Sequence, residues 1–283
     1  MNIGQIQADL KTALVDMYEP DEALAITEMV LEHFIGKTRV QQKLESKLEL
    51  DQDKIDLILS AKQQLKTNKP VQYVLGSAWF MGLPFLVDES VLIPRPETEE
   101  LVMLAIENVE KKAFSILDIG TGSGCIPIML QKRMPAAKIT SVDISGAALV
   151  TAQKNAVKYQ VAIDFRKLDF LDETAWGLLP IFDVVVSNPP YIPIKEKDIL
   201  DKNVTLWEPG LALFVPDDDP LLFYRKIALF AKKHLAQNGK IFVEVHQDFA
   251  METQKMFEEN GYAAILKKDI NGNDRMLMVT NIP

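Results

Sequence analysis

Asn188-Pro189-Pro190-Tyr191 is the stretch of this chain best suited to chemistry. Two consecutive prolines fix the backbone after the asparagine. The side-chain oxygen of Asn188 and the carbonyl of Pro189 can then converge on one point. Two acceptors there would hold a planar –NH2 group by both hydrogens and turn its nitrogen toward an electrophile. Tyr191 adds an aromatic face to pack on that planar group. No strong base is needed: the site aligns the nitrogen, and its hydrogen bonds strengthen as the nitrogen gains positive charge. Asn188, Pro189, Pro190 and Tyr191 are therefore the candidate catalytic residues. Adenine, cytosine and a side-chain amide all remain open as acceptors.

A second constellation supplies the electrophile. Asp118-Ile119-Gly120-Thr121-Gly122-Ser123-Gly124 joins a strand-like segment to a helix-like one. Glycines at such a turn let the backbone approach a ligand, and the helix start offers free N–H groups. The dinucleotide fingerprint asks for glycine or alanine at its sixth position; counted from Gly120 that position is Cys125, and no phosphate-binding lysine follows. Asp143 ends the next strand and can accept from both hydroxyls of a ribose. Asp169 and Phe170 end the third, where an acid can take the exocyclic amine of adenine and a ring can stack on the base. A glycine loop and two acids on three successive strand ends make an adenosine site without a phosphate clamp. That is the pattern of a class I S-adenosylmethionine-dependent methyltransferase, whose product is S-adenosylhomocysteine. Gly120, Thr121, Gly122, Ser123, Gly124, Asp143, Asp169, Phe170 and Asn188 form the expected cofactor-binding set. Cys125 reads as a packing residue rather than a nucleophile.

These residues need a scaffold that brings strand ends together. From Ser115 onward, apolar runs at Ser115–Ile119, Lys138–Val142, Asp164–Leu168, Phe182–Ser187, Lys240–Val245, Ala263–Leu266 and Arg275–Thr280 read as strands. Helical stretches between most of them include Ile126–Met134, Gly146–Tyr159, Leu221–Leu235 and Phe249–Asn260. Strands separated by helices predict parallel pairing and a doubly wound, Rossmann-like α/β sheet, with ligands at the carboxyl ends of its strands. Before this domain, assigned to residues 97–283, the texture differs. Residues 1–70 have helical periodicity, with helices from Ile3 to Met17, from an Asp21 cap to Gly36, from Val40 to Leu48 and from Asp53 to Leu65. Residues 71–96 read as a β-hairpin linker, with Tyr73–Gly76 and Leu83–Val87 flanking Met81-Gly82. The segment Ile93-Pro94-Arg95-Pro96 then enters a helix whose first turn is acidic.

Composition narrows the function further. The 283 residues carry a formal net charge of −9, which disfavours attraction to nucleic acid or an anionic membrane. One cysteine permits no internal disulfide and no cysteine-rich zinc site. No run reaches the ~20 apolar residues of a spanning helix, and no secretory signal opens the chain. A soluble cytoplasmic enzyme without a metal is expected. The Asp217-Asp218-Asp219 run reads as a solvated turn rather than a metal site.

Several stretches together resemble the release-factor glutamine methyltransferases, the HemK/PrmC family, over nearly the full length. They are Pro70–Gly76, Leu92–Glu99, Leu117–Gly124, Ser187–Ile192, and Glu208-Pro209 followed by Ala212-Leu213. The resemblance implies a helical N-terminal domain, a hairpin linker and a catalytic domain with a seven-stranded sheet. It also implies methyl transfer to the side-chain amide nitrogen of the glutamine in the Gly-Gly-Gln loop of class 1 peptide chain release factors. On this reading Gly120 to Gly124 and Asp143 hold the cofactor, Phe170 lies along its adenine, and Asn188 to Tyr191 grip the glutamine. The helical domain is expected to recognise the release factor. One departure stands out: the family's acid-then-glycine after the fifth strand is Glu244-Val245-His246-Gln247 here. His246 reads as a surface or packing residue. Two other functions share parts of the pattern, namely adenine-N6 methylation of DNA or RNA and a non-catalytic S-adenosylmethionine-binding scaffold. The absence of a Lys/Arg-rich domain opposes the first, and the intact Asn188 and Tyr191 oppose the second.

Overall fold

The computed structural model describes residues 1–109 and 114–282. The chain divides into two units, one of residues 1–77 with 201–207 and one of residues 78–200 with 208–283.

The first unit is helical: α1 (Ile3–Leu14), α2 (Pro20–Ile35), α3 (Arg39–Leu44), α4 (Gln52–Leu65) and α5 (Val71–Leu75). Apolar residues at three- and four-residue spacing give α1, α2 and α4 one buried face each, and Ile6, Leu10, Val30, Leu31, Ile58 and Leu65 meet in one core. Asn2 caps α1 in a reciprocal capping box with Gln5. Two local expectations change. α2 starts at Pro20, with Glu19 in the cap position and Asp21 inside the first turn, because proline is pre-shaped for the first helical position. Val71–Leu75 is a helix rather than a strand: Pro70 precedes it, and Gly76 ends it in the left-handed conformation at φ +63°.

The hairpin follows, with strands β1 (Ser77–Phe80) and β2 (Leu83–Leu86) around Met81-Gly82. Its first strand therefore starts after Gly76. Next come α6 (Pro96–Asn108), β3 (Ser115–Ile119), α7 (Cys125–Arg133), β4 (Lys138–Asp143), α8 (Gly146–Lys158), β5 (Asp164–Lys167) and β6 (Phe182–Ser187). After β6 lie the short strand β7 (Ile192–Pro193), α9 (Lys202–Trp207), α10 (Gly210–Leu213) and β8 (Phe214–Val215). The chain ends with α11 (Leu222–His234), β9 (Leu235–Glu244), α12 (Ala250–Glu259), β10 (Tyr262–Lys268) and β11 (Asp274–Asn281). α9 belongs to the first unit, where Trp207 Nε1 donates to Thr67 O at 3.1 Å.

The α/β architecture is as expected: seven strands in the order β10-β11-β9-β6-β3-β4-β5. β9, β6, β3, β4 and β5 pair in parallel, and the order reverses at β3. β11 is the exception, running antiparallel between β9 and β10. No helix separates it from β10. A short turn through Asp269–Asn273 joins the two, and such a connection can only reverse the strand. Two apolar layers cover the sheet, one around Phe230, Ile241 and Leu277 and the other around Leu101, Ile128 and Phe242.

One buried side chain ties the hairpin to the glycine turn. Asn155 on α8 donates to Leu86 O and to Ser123 O, both at 2.9 Å, and accepts from Leu86 N at 2.7 Å. Asn155 is fully buried, so removing its amide strands three backbone groups without water. Asn155→Ala is expected to cost about 2–4 kcal/mol of stability in urea denaturation. It should also speed hydrogen exchange at the Leu86 amide, and a midpoint equal to the parent's would refute this role.

Candidate active site

The register of the parallel strands sets the site. Ile119 at the end of β3 pairs with Val142 on one side and Ser187 on the other. The glycine turn, Asp143 and Asn188, each following directly, therefore leave the sheet at one edge. A cavity of about 230 Å³ opens there, between the glycine turn, the exits of β4 and β5, and Asn188-Pro189-Pro190.

Gly120 and Gly122 present their backbones to this cavity, and Thr121, Ser123 and Gly124 do not. Those three face the interior. Thr121 Oγ1 donates to Asp118 Oδ2 at 2.7 Å, and Ser141 Oγ donates to the same oxygen. Gly124 sits at φ +79°, and a Cβ there would lie 3.1 Å from the Cβ of Ala152 on α8. Only glycine meets both demands, the backbone conformation and the helix contact. Asp118 is fully buried, and burial pushes its carboxyl up to about 6 against the opposing hydroxyl bonds. Cys125 is buried too, and burial pushes its thiol up to about 12, which fits a packing residue.

Asp143 is held by the loop it serves. Its Oδ2 accepts from Gly122 N at 2.9 Å and its Oδ1 from Ser145 N at 2.8 Å. Each oxygen keeps a further lone pair for a ligand. Burial raises this carboxyl, and the two amide bonds oppose the rise. Asp169 is exposed beside the cavity, with Oδ1 accepting from Leu171 N at 2.9 Å. Phe170 lines the cavity but is mostly core, packed against Trp176 and Phe230 with ring centroids 5.5 and 5.3 Å away. Asp143 and Asp169 are the charged residues of the lining, which among the described residues holds no lysine, arginine or histidine. A cationic sulfonium with a diol and an adenine fits such a lining, and a phosphate does not.

Asn188, Pro189 and Pro190 line the opposite wall. Asn188 Nδ2 donates to Thr98 Oγ1 at 3.0 Å, and no described residue donates to its Oδ1. Tyr191 stands behind this wall. Its hydroxyl donates to Glu244 Oε1 at 3.1 Å, and its ring meets His246 edge-on with centroids 5.8 Å apart. Thr98 Oγ1 donates to Glu244 Oε2 at 2.7 Å. Burial pushes the Glu244 carboxyl up to about 7. His246 is thus a packing residue, with Nε2 3.4 Å from Glu196 Oε2.

The outer rim comes from the segment after α9. Glu208 is buried and accepts from Ile93 N at 3.1 Å and from the Arg95 guanidinium. This ties the segment of Pro209, Leu211 and Ala212 to that of Val91 and Leu92, and all five residues line the cavity. Tyr191 N donates to Leu213 O, and β7 pairs with β8, so the tetrapeptide and the rim are stitched together. Sequence reasoning missed Thr98 and the lining residues Ile144, Leu211 and Phe223. For Thr98 and Ile144 a signal existed: one lies in the first turn after the Arg95-Pro96 entry, and the other follows the second strand-end acid.

The "Methyltransferase small domain" family model matches residues 100–205, and the "PrmC N-terminal domain" model matches residues 5–76. Among solved structures, a methyltransferase from Pyrococcus furiosus shares the fold, with a TM-score of 0.53 at 16% identity over 82% of this chain and 100% of that one. Two relatives are much more similar in sequence. The release factor glutamine methyltransferase of Bacteroides thetaiotaomicron is 40% identical over 97% of this chain and 99% of its own. That of Flavobacterium psychrophilum is 44% identical over 99% of both chains. With such identity along essentially the whole of both sequences, the chain belongs to the release factor glutamine methyltransferase family.

Proposed function

We propose that the protein transfers a methyl group from S-adenosylmethionine to the side-chain amide nitrogen of the glutamine in the Gly-Gly-Gln loop of class 1 peptide chain release factors. The observation that carries the reading is the placement of Asn188, which lines an acidic, phosphate-averse cavity and whose NH2 is spent on Thr98, so that its amide oxygen is the end left to accept. The names of the two relatives supply the acceptor.

The cofactor, when bound, supplies a methyl group on a positively charged sulfur. Asp143 would bond its ribose hydroxyls, Asp169 its adenine amine, and Phe170 would pack along the base from the core side. The backbones of Gly120 and Gly122 give close approach. Thr121, Ser123 and Gly124 act one step back, by holding the turn in shape.

An amide nitrogen is a weak nucleophile because its lone pair is delocalised into the carbonyl. Asn188 Oδ1 and the Pro189 carbonyl accept its two hydrogens and fix the plane of the group, so that the nitrogen faces the methyl. Both bonds strengthen as the nitrogen becomes positive, which lowers the barrier without a base in the ground state. The surplus proton leaves along one of these acceptors toward water after the transfer. Methylation then needs alignment and exclusion of solvent, and the clamped 209–212 segment contributes to both.

The helical unit is assigned the recognition of the release factor, since the cavity alone would take any exposed amide. Residues 1–70 are proposed as the recognition domain, residues 71–96 as the linker and residues 97–283 as the catalytic domain. No described helix is long and apolar enough to cross a membrane. A cytoplasmic enzyme that makes no stable complex with nucleic acid is the fitting setting.

The first test is transfer of labelled methyl to a purified, unmethylated release factor, with mass spectrometry to locate it. Label is expected on the loop glutamine, and Asn188→Ala should lower kcat by about 100- to 1,000-fold. Label on nucleic acid instead would replace this reading with adenine-N6 methylation. In a second test, Asp143→Ala should weaken S-adenosylhomocysteine binding by about 30-fold or more in calorimetry. Unchanged affinity would remove Asp143 from the cofactor site.

A further inference from the structure

Four polar side chains from three parts of the catalytic unit meet behind the Asn188 wall, and three of them do not line the cavity. Thr98 is in the first turn of α6, Glu244 ends β9, and Asn188 and Tyr191 follow β6. Thr98 is 3% exposed and Glu244 2% exposed, so water cannot substitute for their partners.

The direction of each hydrogen bond follows from proton counting. An ionised carboxylate only accepts. Thr98 has one hydroxyl proton, and it goes to Glu244 Oε2 at 2.7 Å. The Thr98 oxygen is then left as an acceptor, so Asn188 must offer it the NH2 end of its amide, at 3.0 Å. The amide oxygen is thereby turned the other way. Tyr191 spends its own proton on Glu244 Oε1, which fixes the phenol at the tetrapeptide's far end. The backbone carbonyl of Glu244 is held in turn by Tyr224 Oη at 3.0 Å.

We propose that Glu244 and Thr98 are a positioning pair that sets the polarity of the Asn188 amide, keeping its oxygen toward the substrate nitrogen, and that anchors Tyr191 through the same carboxylate. This rests on Asn188 acting as the acceptor in methyl transfer, as argued above. Neither residue touches substrate. Their effect is on which end of an asparagine faces it.

The pair makes the site sensitive to pH. Burial raises Glu244 to about 7; Glu97 on α6 pushes the same way, while the Thr98 and Tyr191 bonds and Arg275 on β11 oppose it. Arg275 is one residue off in register, with its carbonyl accepting from Val245 N at 2.8 Å. Arg95 and Tyr224 also face this group through Tyr191, and His246 packs on the other side of that ring. When Glu244 takes up a proton it can donate, and the Thr98 hydroxyl is released to turn toward Asn188. The amide can then present NH2 to the cavity, where it cannot accept from the substrate. Because the carboxylate is the active form, turnover is present above the raised value and is lost as pH falls through it.

The experiment is the pH profile of kcat and KM for labelled methyl transfer to a release factor, between pH 5.5 and 8.5, for the parent, Thr98→Val, Thr98→Ser and Glu244→Gln. S-adenosylhomocysteine calorimetry reports whether each variant is folded. The parent should show an acid limb in kcat. Thr98→Val should lower kcat by about 10- to 100-fold, with KM and S-adenosylhomocysteine affinity within about 3-fold of the parent. Thr98→Ser should restore both rate and limb, and Glu244→Gln should lack the limb. A limb that persists in Glu244→Gln, or a Thr98→Ser as slow as Thr98→Val, overturns the proposal. If Thr98→Val binds no S-adenosylhomocysteine, the Glu244→Gln profile decides alone. A parent that labels no release factor fails at the earlier reading. A parent that labels, with all three variants matching it, sinks only the positioning pair.

Discussion

The lateral pairing of β3 with β4 and β6 is the constraint on which the rest of the structure depends. Ile119 is level with Val142 and with Ser187, so three chain exits are level too. A shift of one residue in either ladder would exchange inward and outward side chains along a whole strand. The glycine turn would then lose Asp143 as the acceptor for Gly122, and Asn188 would no longer stand across from it. Parallel strands buried on both faces tolerate no such shift, because Leu117, Val142 and Val185 are already packed on one side and Ile116, Ile139 and Val184 on the other. The site inherits its precision from the core.

That edge of the sheet also concentrates buried acids. Asp143 and Glu244 end β4 and β9, Asp118 is the last residue but one of β3, and burial raises all three carboxyls. A fold optimised for stability alone would not place them there. Directed donors oppose that rise in each case: hydroxyls for Asp118 and Glu244, and backbone amides for Asp143. The donors that offset burial are also the groups that must be positioned, namely the glycine turn, Thr98 and Tyr191. Electrostatic cost and geometric order are thus met by the same contacts.

Much of this was legible in the sequence, and for a physical reason. Strand exits carry the chemistry, so Asp118–Gly124, Asp143, Asp169-Phe170 and Asn188–Tyr191 each announced themselves at the end of an apolar run. The doubly wound sheet and the family followed from the same stretches. The orientation of residues within the glycine turn was not legible, since a turn residue can face either way. Thr121 and Ser123 prove to point inward. The Thr98–Glu244 bond joins positions 146 residues apart and depends on how the first turn of α6 meets the end of β9, which no local pattern encodes. β11 shows another limit. Arg275–Thr280 read as a strand, but its direction depended on the short turn from β10. Tyr73 to Leu75 misled by β-favouring residue types, where flanking Pro70 and Gly76 decided for a helix.

The placement of α9 bears on how this chain could have been assembled. Residues 201–207 lie within the catalytic part of the sequence but group with the helical unit, so the backbone passes between the two units three times. A module joined by one crossover can be exchanged or lost through a single recombination breakpoint. This pair is interlaced, and Glu208, the residue that clamps the cavity rim, is the first one after the last crossing. Exchanging the helical unit as a module would therefore need breakpoints at all three crossings, the last of them immediately before Glu208.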